Sequence, residues 1–285
     1  MLPDLFSFGV MQDHEADELN DWAKKEGWNP GLSDQIVARQ FDREAFIALR
    51  KNNELVGGGS IISYDGLYGF MGLFIMRVDY RGQGLGAKLW CYRRDRLIGR
   101  LQSTAAIGMD GVFNMAPFYA RGGFSLAHRD LRYEGIAKGY KSSEVRVLNN
   151  IPFETLDAYD KKHFPVPRSA FIKAWISQSG VMGYAIFKHD HLVGYGVARP
   201  CHQGYKIGPL FADSTDIAES ILSSLLAEIK GEKVQIDIPE PNQSALKLAT
   251  DFGLVESFGC ARMYRGNVNP VPIKNIYSVT SYEFG

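Results

Sequence analysis

Cysteine is scarce in this 285-residue chain, and its three copies, Cys91, Cys201 and Cys260, stand far apart. They form neither a metal-ligand spacing nor a disulfide framework, so no metal is expected and a reducing cytoplasm is the expected setting. Net charge is absent as well, since 32 Lys plus Arg balance 32 Asp plus Glu. Such a chain has no general electrostatic pull toward nucleic acid or an acidic membrane, and neither partner is expected. No apolar run approaches a bilayer span, and the start around Asp4, Asp13, Glu15, Asp17 and Glu18 lacks the basic opening of a signal peptide. Histidines number six, and His189-Asp190-His191 reads as a solvated hairpin tip rather than a metal site. What remains, 45% hydrophobic and 22% charged residues, is ordinary for a globular chain, at a length suited to two domains.

One segment stands out against that background. The apolar run from Leu73 to Val78 reads as a buried strand, and Ala87-Lys88-Leu89-Trp90 reads as the start of a helix. Between them lies Arg81-Gly82-Gln83-Gly84-Leu85-Gly86, three glycines in five positions. Glycines at a strand-to-helix junction let several N–H groups converge on one anion, and the helix end adds partial positive charge. The P-loop form fails, because Gly86-Ala87-Lys88 lacks the required ending. The dinucleotide form fits only as Gly82-x-Gly84-x-x-Ala87, in a hairpin context where a βαβ unit is needed. A third form, Arg-x-x-Gly-x-Gly after a strand, is matched by Arg81, Gly84 and Gly86.

That third form resembles the pyrophosphate loop of the GCN5-related N-acetyltransferases (GNAT). A second mark, Ala116-Pro117-Phe118-Tyr119-Ala120-Arg121-Gly122-Gly123-Phe124, is similar to the stretch ending in Tyr, three residues, Gly-Phe in that family. There the tyrosine protonates the departing CoA thiolate, a role the resemblance gives to Tyr119. A phenol that is neutral at pH 7 suits that chemistry. Asn114 lies five residues before Tyr119 where the family has its asparagine at seven. With Glu26-Gly27-Trp28-Asn29-Pro30-Gly31 and the ending Tyr282-Glu283-Phe284-Gly285, nearly the whole chain resembles bacterial tandem acetyltransferases of the YitH type.

The chain also repeats itself. Phe46-Ile47-Ala48-Leu49-Arg50, a polar turn and Leu55-Val56-Gly57-Gly58-Gly59 match Tyr184-Ala185-Ile186-Phe187-Lys188, a polar turn and Leu192-Val193-Gly194-Tyr195-Gly196. Gly72-Leu73-Phe74 matches Gly208-Pro209-Leu210-Phe211, and each copy closes on a similar strand, Arg132-Tyr133-Glu134-Gly135 or Met263-Tyr264-Arg265-Gly266. The second copy carries Ile217, Ser220 and Leu222 opposite Arg81, Gly84 and Gly86, and Ala249 opposite Tyr119. Its loop, Ala212-Asp213-Ser214-Thr215-Asp216, brings two carboxylates that repel a pyrophosphate.

The expected fold is therefore α+β, two tandem GNAT-like domains with mixed, mostly antiparallel sheets flanked by helices. Residues 1–140 form the domain with the acetyl-CoA site, and 145–285 form a degenerate copy. Helices are expected over 13–25, 85–101, 116–121, 153–161, 168–178, 217–230 and 243–252, and the alternating stretch 276–284 reads as a strand able to cross back to the first domain. The resemblance implies acetyl transfer from acetyl-CoA to a primary amine of a small molecule. It also implies a cofactor site at Met76, Arg77, Val78, Arg81, Gly82, Gln83, Gly84, Leu85, Gly86 and Asn114, with N–H groups of 76–78 polarising the thioester carbonyl. No Glu stands on that strand to act as base, so Asp110 on the next strand is the candidate. A non-catalytic acyl-CoA sensor is the alternative, since it needs the glycine loop and neither acid nor base.

Overall fold

Period-two alternation decides which helix covers which face of the sheet. A computed structural model describes residues 5–285, so Asp4 of the acidic start lies outside the described residues. The first half runs β1 (Phe6–Val10), α1 (Asp13–Lys25), α2 (Asp34–Phe41), β2 (Phe46–Lys51), β3 (Glu54–Tyr64), β4 (Tyr68–Met76), α3 (Leu85–Ile98), β5 (Ala106–Val112), α4 (Ala116–Arg121) and β6 (Ser125–Ile136). The second runs β7 (Arg146–Val147), α5 (Phe153–Asp160), α6 (Ser169–Ile176), β8 (Met182–Lys188), β9 (His191–Pro200), β10 (Tyr205–Ala212), α7 (Thr215–Glu228), β11 (Lys233–Pro239), α8 (Gln243–Asp251), β12 (Val255–Arg265) and β13 (Ile276–Ser278). Along β2, Phe46 and Ala48 enter a core with α1, α2 and α6, whereas Ile47 and Leu49 enter the core under α3 and α4. Strand β8 repeats the division, with Tyr184 and Ile186 toward α7 and α8 and Ala185 toward α5.

Both expected hairpins form. Their turns place Asn52 and Asn53 at φ 49° and 68°, and His189 and Asp190 at φ 48° and 61°, the paired left-handed residues of a tight hairpin turn. The strands join one sheet in the order β1-β2-β3-β4-β5-β12-β6-β11-β10-β9-β8-β7, with β13 laid against β10. Among the described residues its pairs are antiparallel except β4–β5 and β10–β11. This is the expected α+β class.

Three features depart from the sequence reading. Each copy does have its closing strand, but the two are exchanged. Strand β12 pairs with β5 of the first half, β6 pairs with β11 of the second, and β6 and β12 pair with each other. Strands of like pattern fit either edge, and the exchange leaves no open edge at the join. Helix α2 was not anticipated: its core-facing stripe, Val37, Ala38 and Phe41, lies within a helix of only 8 residues. The strand expected over 276–284 ends at Ser278, and the following coil is buried between the halves, Phe284 at 0% exposure. There the Tyr64 hydroxyl donates to the Phe284 carbonyl at 2.7 Å, so the segment does reach the first half, as coil rather than strand. Further links between the halves are polar: Arg199 donates to Asp34 at 2.9 Å, and Lys206 donates to the Trp28 carbonyl at 3.2 Å.

Candidate active site

The way α3 begins builds the cradle. Gly84, just before its first turn, sits at φ 74° and Gly82 at φ 76°, left-handed positions that glycine takes without strain. A Cβ on either would meet nothing within 4 Å, so the backbone lies open there. No side chain caps α3 and no acidic residue stands in its first turn, which leaves the positive helix end uncompensated by side chains. In α8, by contrast, the Asn242 side chain accepts from the Ala245 amide at 3.1 Å. Arg81 opens the loop, its Nε donating to the Met76 carbonyl at 2.8 Å and its guanidinium pairing with Glu26. Gln83 donates to the Asp79 carbonyl at 2.8 Å, and buried Leu85 anchors the helix in the core. Arg77 hydrogen-bonds Asp79 and so holds that carboxyl below its usual range. The Arg77 amide donates to Val56 at 3.0 Å, so this N–H is engaged in the sheet rather than free to polarise a thioester.

Beside the cradle the sheet parts. Strands β4 and β5 pair from Tyr68–Ala106 to Met71–Met109 and then separate, although β4 continues to Met76 and β5 to Val112. The separation begins at a bulge where Leu73 and Phe74 oppose the single Gly59, with Leu73 at φ 46°. Arg93 of α3 ties this bulge down, its Nη2 donating to the carbonyls of Ser60 at 2.5 Å and Gly72 at 2.6 Å. Gly59 leaves room for it, since a Cβ there would lie 2.3 Å from the guanidinium carbon.

The parting opens a cleft of about 850 Å³ whose wall brings together Met76, Arg81, Gly82, Gly86, Asp110, Asn114 and Tyr119. Arg77, Val78, Gln83, Gly84 and Leu85 are not part of that lining. Tyr119 is 4% exposed, stacked on Trp90, with its ring against Gly111, where a Cβ would come within 2.4 Å. Burial pushes its phenol up to about 12 against the opposing pull of Arg93. The hydroxyl therefore keeps its proton at neutral pH and is able to donate it.

Asp110 occupies the same wall, but both its oxygens accept from Arg262 of β12, at 2.7 and 2.6 Å. Burial pushes its carboxyl up and Arg262 opposes that, while Asp130, which meets the same Arg262 Nη2 at 3.1 Å, adds to the rise. Its place is thus in a strand-to-strand ion pair rather than that of a free base. Sequence reasoning missed three lining groups, Arg93, Tyr282 and Glu283. Arg93 interrupts the apolar stripe Leu89–Leu97 of α3, and burial lowers it to about 9. Glu283 left only the signal of an acid in an otherwise apolar alternation.

The second half repeats the parting and fills it. Strands β10 and β11 pair in parallel from Tyr205–Val234 to Ile207–Ile236. Beyond that point β13 lies against β10 at Leu210–Ser278 and Phe211–Ile276, and the Val279 amide donates to the Asp237 carbonyl at 2.9 Å. The loop before α7 holds Asp213, which accepts from the Tyr159 hydroxyl at 2.7 Å, and Asp216 stands in the first turn. Among the described residues no group of His, Cys, Asp and Glu is arranged to hold a metal, and no helix is long and apolar enough to cross a membrane.

Comparison with known proteins agrees with this arrangement. Residues 10–124 match the model of the acetyltransferase (GNAT) family, and residues 156–278 match a second acetyltransferase (GNAT) domain. The chain belongs to the GNAT family, as a tandem of two such domains, and it is an acyltransferase. Among its relatives, holothin acyltransferase of Pseudoalteromonas sp. (strain SANK 73390) is 28% identical over 296 residues, covering 99% of each chain. The uncharacterized N-acetyltransferase YitH of Bacillus subtilis (strain 168) is 26% identical over 236 residues, covering 80% of this chain and 82% of its own. In fold the chain is similar to a crystal structure from Pyrococcus horikoshii assigned as an acetyltransferase, with TM-score 0.85 at 22% identity over 100% and 98% of the two chains. A tandem GNAT protein of the clavulanic acid biosynthesis pathway gives 0.61 at 12% identity over 91% and 98%.

Proposed function

We propose that this acyltransferase moves an acetyl group from acetyl-CoA directly to the primary amine of a small molecule. The observation that carries the reading is one cleft joining an open glycine turn at an uncapped helix start, a parted pair of parallel strands and a buried phenol. The residues present fit the donor. The backbone at Gly82 and Gly84 is unobstructed, and both acids flanking the loop, Asp79 and Glu26, are already paired with arginines. The cradle Gly82–Gly86 and the first amides of α3 would hold the pyrophosphate, with Arg81 beside them. Where β4 and β5 separate, each strand has an edge without a strand partner, which suits the amide-bearing arm of CoA.

When bound, acetyl-CoA supplies an activated acyl thioester. The chain's own work is to orient it, exclude water and give a proton from the Tyr119 hydroxyl to the departing sulfur. A cleft of about 850 Å³, shared between donor and acceptor, favours a small acceptor. We divide the chain into 1–140, with the acetyl-CoA site, and 145–285, each completed by the other's closing strand. Three free thiols, Cys91 among them exposed, suit a reducing cytoplasm.

Two measurements test the reading. Calorimetry with acetyl-CoA checks the donor, and absence of binding refutes it. Thiol release across primary amines, amino acids and aminosugars checks the acceptor, and donor binding without release to any of them refutes the amine.

A further inference from the structure

We propose that Glu283, delivered by the closing segment of the second half, receives the acceptor amine's proton and so completes the first half's active site. The inference rests on amine acetylation as the reaction. Three carboxylates line the cleft, Glu26, Asp110 and Glu283. Glu26 pairs with Arg81 at the cradle, and both oxygens of Asp110 are taken by Arg262. Of the three, Glu283 is the one with a buried oxygen that no hydrogen bond satisfies, since the second oxygen of Glu26 is partly exposed to solvent. Its Oε1 lies 3.9 Å from the Lys206 ammonium, while Oε2 is buried with no hydrogen-bond partner. An unsatisfied buried carboxylate oxygen is costly, and an ammonium N–H in the cleft would satisfy it.

The side chain is held in place by its backbone. Gly72 immediately precedes the bulge at which β4 leaves β5, and a Cβ there would sit 2.4 Å from the Glu283 carbonyl oxygen. That same oxygen accepts from Ser60 Oγ at 3.3 Å, and the next residue, Phe284, is locked in the core. Glu283 therefore enters the cleft from the β4 side of the parting, and Tyr119, packed on Gly111, from the β5 side. Base and acid approach one opening from its two strands.

The Glu283 side chain stands among charged groups from several elements. Lys206 on β10, Arg132 on β6 and Arg199 on β9 face it. Asp237 on β11 binds Arg132 through two hydrogen bonds, at 2.6 and 2.8 Å, and Asp34 on α2 binds Arg199 at 2.9 Å, so Lys206 is the cation left for Glu283. In the transfer the bound ammonium gives one proton to Oε2, and its freed lone pair attacks the thioester carbonyl carbon. The C–N bond forms and the C–S bond breaks. The sulfur takes a proton from Tyr119, which recovers one from the attacking nitrogen. Amide, thiol and protonated Glu283 result, and the net charge in the cleft is unchanged.

Glu283→Gln keeps the shape and removes the base. Thiol release is followed with acetyl-CoA and the fastest amine of a panel containing tryptamine, glucosamine and lysine. The expected result is a kcat lower by on the order of 10²-fold or more, with acetyl-CoA affinity and the unfolding midpoint unchanged. Log kcat of the variant should climb with unit slope toward the amine's own pKa, and the wild-type profile should be flatter. Glu283→Asp should recover part of the rate and the wild-type profile. Glu283→Gln with the wild-type rate, or a slower variant with the wild-type profile, overturns the role of Glu283 and leaves acetyl transfer standing. A wild type that binds acetyl-CoA and acetylates no amine overturns acetyl transfer itself, and this inference with it.

Discussion

A single methyl group at Gly72 tests whether the seat of the closing segment matters. The Cβ of Gly72→Ala would lie 2.4 Å from the Glu283 carbonyl oxygen and 2.9 Å from its carbonyl carbon and Cα, where ordinary contact begins at 3.4 Å. The segment must therefore retreat by about 1 Å. Neither side yields easily, because Gly72 is paired with Ser60 in the ladder and Phe284 is fully buried next to the clash. Gly72 is not left-handed, so alanine brings no backbone strain and stabilises through the unfolded chain by about 0.4–1 kcal/mol. Overpacking a rigid contact costs about 1–3 kcal/mol, which wins. The net loss, about 1.3 kcal/mol at the centre of these ranges, lowers the unfolding midpoint by roughly 3–5 °C for a chain of this size. Differential scanning calorimetry reads that shift. Activity should fall further than acetyl-CoA affinity, since Glu283 moves with its backbone while the cradle at Gly82–Gly86 does not touch the segment. An unchanged midpoint together with unchanged kcat would refute the argument that Gly72 seats a functional carboxylate.

The other expectations concern the donor and the acid. Gly84→Asp places a carboxylate in the pyrophosphate path and should abolish acetyl-CoA binding in calorimetry. Gly84→Asn, of equal size and also tolerant of a left-handed φ, should weaken binding far less, and equal losses in the two variants would remove charge as the cause. One acetyl-CoA should bind per chain, because β13 fills the second parting and Asp213 and Asp216 flank the second loop; a stoichiometry near two would contradict this. Tyr119→Phe keeps the ring against Gly111 and Trp90, so kcat should fall on the order of 10²-fold while donor affinity holds, and unchanged turnover with chemistry rate-limiting would take Tyr119 out of the mechanism.

Local signals were legible and long-range ones were not. The glycines before α3 and its periodic apolar residues act within a few positions of one another, so the glycine turn that opens the helix could be read directly. The same holds for α1 and α4, whose limits fall at the expected residues, and for both hairpins, whose turns are set by adjacent polar residues. Helix α2 escaped because its stripe of Val37, Ala38 and Phe41 lies within only 8 residues, too short a window for a helical period to stand out. The exchange of β6 and β12 was illegible for a different reason. Alternation tells which face of a strand is buried, but not which edge it joins when two strands carry the same pattern. Asp110 shows how position and role separate: its place in the cleft wall followed from the strand order, whereas its pairing with Arg262 depends on a strand from the other half.

The second half has a structural reason to stay attached. Its parting between β10 and β11 is filled by β13, and a Cβ on Gly208 would lie 2.5 and 2.6 Å from the carbonyl oxygens of Val279 and Thr280. Gly72 stands at the matching place in the first half and approaches Glu283 as closely. One continuous segment thus closes the second opening and then reaches the edge of the first. The filling of one site and the completion of the other are the same event in the chain. Introducing glycines into the loop at 212–216 would accordingly open a turn beside a parting that is still occupied, whereas removing the segment to free that parting would take Tyr282 and Glu283 out of the wall of the first cleft.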